Sequence, residues 1–122
     1  MIKIAFASKD GKLVNEHFGW CEKFYIYTLD EETYELIREV DSSKVYEAEV
    51  DKLEYKIECI DASDILYVTK IGPKAASMVK IAGTYPLKSS SEDEKIEDVL
   101  QSLQKLMKNS PPLWLKRILL KR

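Results

Sequence analysis

The chain has 122 residues, 45% of them apolar and 33% charged, with a formal net charge of −2. That is the composition of one ordinary globular domain, long enough to bury a core without a disulfide or metal staple. It excludes a general polyanion binder, which would carry a strongly basic face. The charge is uneven, however. Lys116, Arg117, Lys121 and Arg122 give the last twelve residues +4 with no acid, so the remaining body stands at −6.

Ile2–Ala7 reads as a buried first strand, ended by the turn signal Asp10-Gly11. Leu13–Cys21 is neither a clean strand nor a clean helix. Lys23–Leu29 is a second strand, and the polar Asp30–Glu32 joins it to a third, Thr33–Val40, whose charges mark an edge. The period then changes. Tyr46, Val50, Leu53, Ile57 and Ile60 recur at helical spacing. Ile65–Thr69 is a fourth strand, broken by Ile71-Gly72-Pro73. A short helix follows, from Ala75 to Ala82, with Gly83 placed to end it. Tyr85–Leu87 is a brief fifth strand. Ser91 and Glu94 have capping-box spacing ahead of an apolar stripe that runs from Ile96 to Met107. Pro111-Pro112 stops that helix. The order predicts an α/β fold: a mixed five-stranded sheet with helices on both faces. Residues 1–110 form the expected domain. Residues 111–122 form a basic amphipathic tail in which Trp114, Leu115, Ile118 and Leu119 share one face. That face fits docking onto the body, a protein contact or a membrane surface.

The Leu13–Cys21 loop holds the chain's one histidine, His17. A neutral imidazole is a good iron or molybdenum ligand, and a thiolate such as Cys21 is the preferred ligand of iron–sulfur clusters. Gly19 would let a bulky ligand approach the backbone, with Phe18 and Trp20 shielding it. From spacing alone, the alternative is an ordinary surface or hydrogen-bonded loop histidine. Cys59 lies beside a helix's apolar face and reads as a small core residue, with a second thiolate as the alternative. Ile71-Gly72-Pro73-Lys74 lies between a strand end and a helix start, where open α/β sheets gather ligands and where a helix N-terminus and Lys74 would attract an anion. One histidine serves poorly for triad catalysis, and no glycine-rich phosphate loop is present. A metal-dependent nuclease needs several converging carboxylates, and Asp10 and Asp64 are the acids near strand ends. No enzyme activity is expected. Met1 leads straight into a strand, no apolar run approaches a membrane span, and two cysteines without a secretion signal suit a reducing compartment. A cytoplasmic location is therefore expected.

Ile4-Ala5-Phe6-Ala7-Ser8, then Asp10-Gly11, His17-Phe18-Gly19 and Glu22-Lys23-Phe24, resembles the opening of the NifX/NifY/NifB C-terminal family, the dinitrogenase iron–molybdenum cofactor biosynthesis domains. Asp64-Ile65-Leu66, Ile71-Gly72-Pro73-Lys74-Ala75 and Ala82-Gly83 are similar to that family's second signature, and Pro111–Arg117 resembles its endings. The resemblance implies a ribonuclease H-like fold without nuclease activity. It further implies a carrier that passes an iron–molybdenum cofactor, or an iron–sulfur precursor, from a cluster donor to a scaffold or acceptor. His17 falls at the family's His-Phe-Gly position and is the implied cluster ligand. Phe18, Gly19, Cys21, Gly72 and Lys74 complete the expected site, with His17 and Cys21 as the expected metal ligands. The alternative is a metal-free protein-interaction module of the same fold, working outside nitrogen fixation.

Overall fold

The computed structural model describes residues 1–121. Five strands, β1 (Ile2–Ala7), β2 (Lys23–Leu29), β3 (Tyr34–Asp41), β4 (Ile65–Val68) and β5 (Tyr85–Lys88), form one sheet in the order β3-β2-β1-β4-β5. The first three run as an antiparallel meander, with Ile2 opposite Leu29 and Ala7 opposite Phe24. β1 then pairs in parallel with β4, and β4 with β5. Parallel neighbours need crossovers, and these carry α1 (Glu49–Cys59) and α2 (Pro73–Ile81). Two helices follow the last strand, α3 (Ile96–Lys108) and α4 (Leu113–Lys121). The mixed five-stranded sheet expected from the sequence is present.

The period-2 alternation of β1 and β2 splits the core between the two faces of the sheet. Ile2, Ile4, Phe6, Tyr25 and Leu29 pack with the stripe of α3, Ile96, Val99, Leu100, Leu103 and Met107. Ala5, Ala7, Phe24 and Ile26 pack with Leu53 of α1 and Ala75 and Val79 of α2. Each fully buried large side chain contributes about 1.5–3 kcal/mol. β3 is an edge strand, exposed along almost its whole length. Its pairing slips between Ile26 and Tyr27, where Ile37 is the extra residue of a bulge.

One local expectation is corrected. The Ser91–Glu94 capping box does not form, and α3 starts five residues beyond Ser91 with Lys95 as its N-cap. Two tertiary bonds tie down the helix start instead, and the first satisfies one of its orphan N–H groups. Ile96 N–H donates to the Lys12 carbonyl at 2.9 Å, and Val14 N–H donates to the Glu94 carbonyl at 2.8 Å. The Glu94 carboxylate instead accepts the Tyr67 hydroxyl at 2.8 Å. Of the three readings of the tail, docking onto the body is the one the structure shows: residues 113–121 form a helix packed into the main core. Leu115 and Ile118 are buried in the α3-side cluster, Leu119 packs against it, and Trp114 stacks on Tyr85 with ring centroids 4.7 Å apart. Arg122, counted with the tail, lies outside the described residues.

Candidate functional site

The chain leaves β1 through a loop that its own side chains hold in shape. Ser8 Oγ accepts the Gly11 N–H at 2.9 Å. Asp10 Oδ1 accepts the N–H groups of Lys12 and Leu13 at 2.9 and 3.0 Å, and these bonds hold its carboxyl below the ordinary aspartate range. Gly11 has a φ of +77°, and a Cβ there would stand 2.8 Å from Cε1 of the buried Tyr25 ring, so the turn requires glycine.

Further along, residues 16–18 align beside the strand-to-helix turn after β4. Thr69 N–H donates to the Glu16 carbonyl at 3.0 Å, and Phe18 N–H donates to the Lys70 carbonyl at 2.9 Å, which makes a parallel bridge between His17 and Lys70. Two stretches far apart in sequence are thereby joined. A tight turn follows, in which the His17 carbonyl accepts the N–H groups of Trp20 and Cys21. Phe18 points inward and is fully buried against Phe24, anchoring the loop to the α1–α2 side of the core. His17, Gly19 and Trp20 are left on the outside.

A cleft of about 240 Å³ opens there. One wall is His17, Gly19 and Trp20; a second is Glu49, Lys52 and Leu53 of α1; the third runs from Lys70 through Ala75. It lies beyond the C-terminal ends of β1 and β4. From that point the chain turns one way to β2 and the other way to β5, the topological position at which open α/β sheets bind ligands. Gly72 is the N-cap of α2 without a capping side chain, Pro73 occupies the first turn, and no acid is present in that turn. The orphan N–H groups of the first turn therefore carry the positive end of the helix dipole into the cleft. Lys52, Lys70 and Lys74 add three cations against one carboxylate, Glu49, whose oxygen is 3.8 Å from Lys52 Nζ. Lys52 Nζ also stands 5.7 Å from the centre of the Trp20 ring, which is 77% exposed at the rim. The cleft is a cationic pocket, with a single imidazole, on an otherwise acidic chain.

Of the expected site residues, His17, Gly19, Gly72 and Lys74 share this cleft. Phe18 and Cys21 do not line it. The Cys21 thiol is fully buried, donates to the Phe18 carbonyl at 3.5 Å and lies 3.7 Å from Ser42 Oγ. Burial pushes it up to about 12, against the opposing pull of the nearby Lys56 ammonium. The expectation of a Cys21 thiolate ligand is therefore corrected: four residues of tight turn put the two side chains on opposite sides of the loop. Lys56 holds that arrangement by donating to the carbonyls of Cys21 and Ser42. Cys59 is a core residue at the end of α1 remote from the cleft, and burial raises its pKa as well. Among the described residues, no group of three or more His, Cys, Asp or Glu side chains is arranged to hold a metal ion. Asp64 accepts the Lys3 N–H at 2.9 Å from the opposite end of β4, so it does not converge with Asp10. Lys52, Lys70 and Glu49 were not foreseen. Lys70 stands two residues ahead of Gly72 and could have been found from the turn's own spacing. Lys52 reaches the cleft only because α1 packs there.

A mixed α/β domain with a ligand cleft at the switch point of its sheet, lined by one histidine and several cations, defines a binding protein of the α/β class. The chain belongs to the dinitrogenase iron-molybdenum cofactor family, whose description it matches over residues 1–106. It is 33% identical over 122 residues to the protein NifX of Herbaspirillum seropedicae, covering 98% of this chain and 83% of that protein. It is 32% identical over 116 residues to NifX of Azotobacter vinelandii, covering 94% and 73%. The crystal structure of PH0822 shares the fold, with a TM-score of 0.64 at 20% identity over 85% of this chain and 89% of the other.

Proposed function

We propose that this protein is a non-catalytic carrier for an iron–sulfur or iron–molybdenum cluster of nitrogenase cofactor assembly, with His17 as its protein ligand. The observation that carries the reading is the placement of His17 on a cleft with Lys52, Lys70, Lys74 and the uncapped start of α2. Such clusters are anionic, and a carboxylate-bearing or sulfide-rich cargo meets donors and cations here. The imidazole supplies one metal contact. The lysines and backbone N–H groups offset the charge that the acidic body would otherwise repel. Gly19 and Gly72 keep side chains out of the approach, since neither is needed by tight packing. The partners are the assembly proteins that donate and accept the cluster, in the cytoplasm. Asp10 and Asp64 each accept backbone N–H groups and lie at opposite ends of the sheet, so these two carboxylates do not pair for hydrolysis.

The test is anaerobic titration of the protein with an extruded cluster, followed by absorbance. His17→Ala is expected to bind at least tenfold more weakly, while Cys21→Ser binds as the parent does. Equal binding by His17→Ala would remove His17 from the site, and lost binding in a folded Cys21→Ser would restore the thiolate.

A further inference from the structure

A second cleft, of about 350 Å³, opens at the other end of the parallel strands, beside the starts of β4 and β5. Its apolar surface includes the stacked Tyr85 and Trp114 rings, which lie 8° from parallel. Its charged lining is Lys80 from the end of α2 and Arg117 and Lys121 from α4, with Asp64 as the one acid. Asp64 is nearly buried and accepts the Lys3 N–H. None of the three cations forms a salt bridge among the described residues. Two apolar side chains adjoin these cations in sequence and stand out in solvent, Ile81 at 84% and Leu120 at 86% exposure. Trp, Tyr and Arg are the residues enriched at the anchor points of protein-binding surfaces, and Trp114, Tyr85 and Arg117 meet here.

We infer that this groove docks an acidic segment of a partner protein that carries an apolar anchor residue. The anchor would lie on the Tyr85–Trp114 stack while its neighbouring carboxylates meet Lys80, Arg117 and Lys121. Charge selects this occupant. The body outside the last twelve residues carries −6, so an extended polyanion such as a duplex, or an anionic membrane, meets repulsion as soon as it reaches past the groove. A short acidic peptide contacts only the cations, because exposed charges beyond about 8 Å are screened at physiological salt. The placement also suits a carrier. α2 starts at the cargo cleft and ends at Ile81, next to Lys80, so its nine residues set the two sites roughly 13 Å apart along the helix. A partner held at the groove leaves the mouth beside His17 open for transfer. That last role rests on the carrier reading; docking itself does not.

The test uses the full chain carrying Trp20→Phe, so that Trp114 is the sole tryptophan. The probe is a synthetic fluorescein-labelled peptide of alternating Glu and Leu. Anisotropy and Trp114 emission are read at 0.05 and 0.3 M salt. The expected result is salt-sensitive binding that shifts Trp114 emission and weakens about tenfold in Arg117→Glu/Lys121→Glu, and also in the independent variant Lys80→Glu. Circular dichroism confirms that each variant is folded. No binding, or equal binding by both charge-reversed variants, overturns the proposal. So does competition by inorganic phosphate as effective as that of the unlabelled peptide, which would make the groove a small-anion site. Preferential binding of a DNA duplex or of phosphatidylglycerol vesicles would overturn it too. His17→Ala is expected to leave peptide binding unchanged, and Arg117→Glu/Lys121→Glu to leave cluster binding unchanged, so either reading can fail alone.

Discussion

Leu115→Ala tests whether α4 is part of the cooperative fold. Leu115 is fully buried, in one cluster with Ile118, Leu100 and Leu103, and its own N–H donates to the Pro112 carbonyl at 3.0 Å. Removing three carbons forfeits about 2.4 kcal/mol of transfer free energy at ~0.8 kcal/mol each. The cavity left behind raises the total to about 3–4 kcal/mol, because packed neighbours on α3 relax only in part. A domain of this size has an unfolding entropy near 0.26 kcal/mol/K, so the midpoint should fall by about 12 °C. Urea unfolding followed by circular dichroism should show the midpoint drop by roughly 1.5–2 M at an m of about 2 kcal/mol/M. Leu120→Ala is the control. Leu120 is 86% exposed, and its truncation should change stability by no more than about 0.5 kcal/mol. A loss below about 1 kcal/mol for Leu115→Ala, with unfolding still two-state, would mean that residues 111–121 are an appendage and that the Trp114–Tyr85 stack carries no stability.

Gly11→Ala should destabilise by about 1–3 kcal/mol, since the new Cβ meets the Tyr25 ring at a positive φ; Gly83→Ala, at a φ of +96° with nothing within 4 Å, should cost less in the same urea assay. The Cys21 thiol, pushed up to about 12, is ionised to about one part in ten thousand at pH 8. It should resist iodoacetamide in the folded protein and react promptly in urea, as mass spectrometry of the Cys21 peptide would read. Labelling at the denatured rate would place the thiol outside the core. Asp10, Asp30, Asp41 and Asp61 all sit below their ordinary value of 3.8: Asp10 and Asp30 chiefly through backbone N–H bonds, Asp41 through Ser43, and Asp61 through Lys3. Each contributes stability that is fully present above the unfolded value and is lost as pH falls through the lowered one. The urea midpoint should hold down to about pH 5 and fall below pH 4, and a midpoint that rises on acidification would refute these assignments.

The strands and helices were legible because burial imposes the periods. Ile2, Ile4 and Phe6 alternate with Ala5 and Ala7, and the α3 stripe repeats at helical spacing. The start of α3 was misread because a local motif competed with tertiary bonds: Glu94 meets Tyr67, and Lys12 caps the helix from 84 residues away in sequence. The tail's amphipathic pattern announced an apolar face without saying what would cover it, and the structure covers it with α3 and the sheet. Half of the site could be read in two separate runs, His17–Gly19 and Gly72–Lys74. Their union depends on the bridge from His17 to Lys70, a backbone contact with no side-chain signature. Sequence closeness misled at Cys21, where direction around a turn matters more than spacing. Lys52 could not be foreseen at all, because its position depends on how α1 crosses the sheet.

On the proposed reading, the sparseness of the cleft beside His17 suits what a carrier must do. A closed four-ligand metal site binds with about 10–16 kcal/mol and holds its metal as part of the fold. Both cysteines here are buried in the apolar core rather than turned to the cleft. With His17 as the proposed ligand, one imidazole would leave the remaining coordination positions of a cluster to exchange with an acceptor's ligands. The cations supply attraction that is nondirectional and screened at ordinary salt, each contact at an exposed helix start being worth about 0.3–1 kcal/mol. On the proposed reading, several such terms would retain an anionic cluster without locking its orientation. Burying Cys21 beneath the same loop then becomes informative. On the proposed reading, a thiolate four residues from His17 would turn a transferable contact into a chelate, and the turn directs Cys21 inward, away from the cleft.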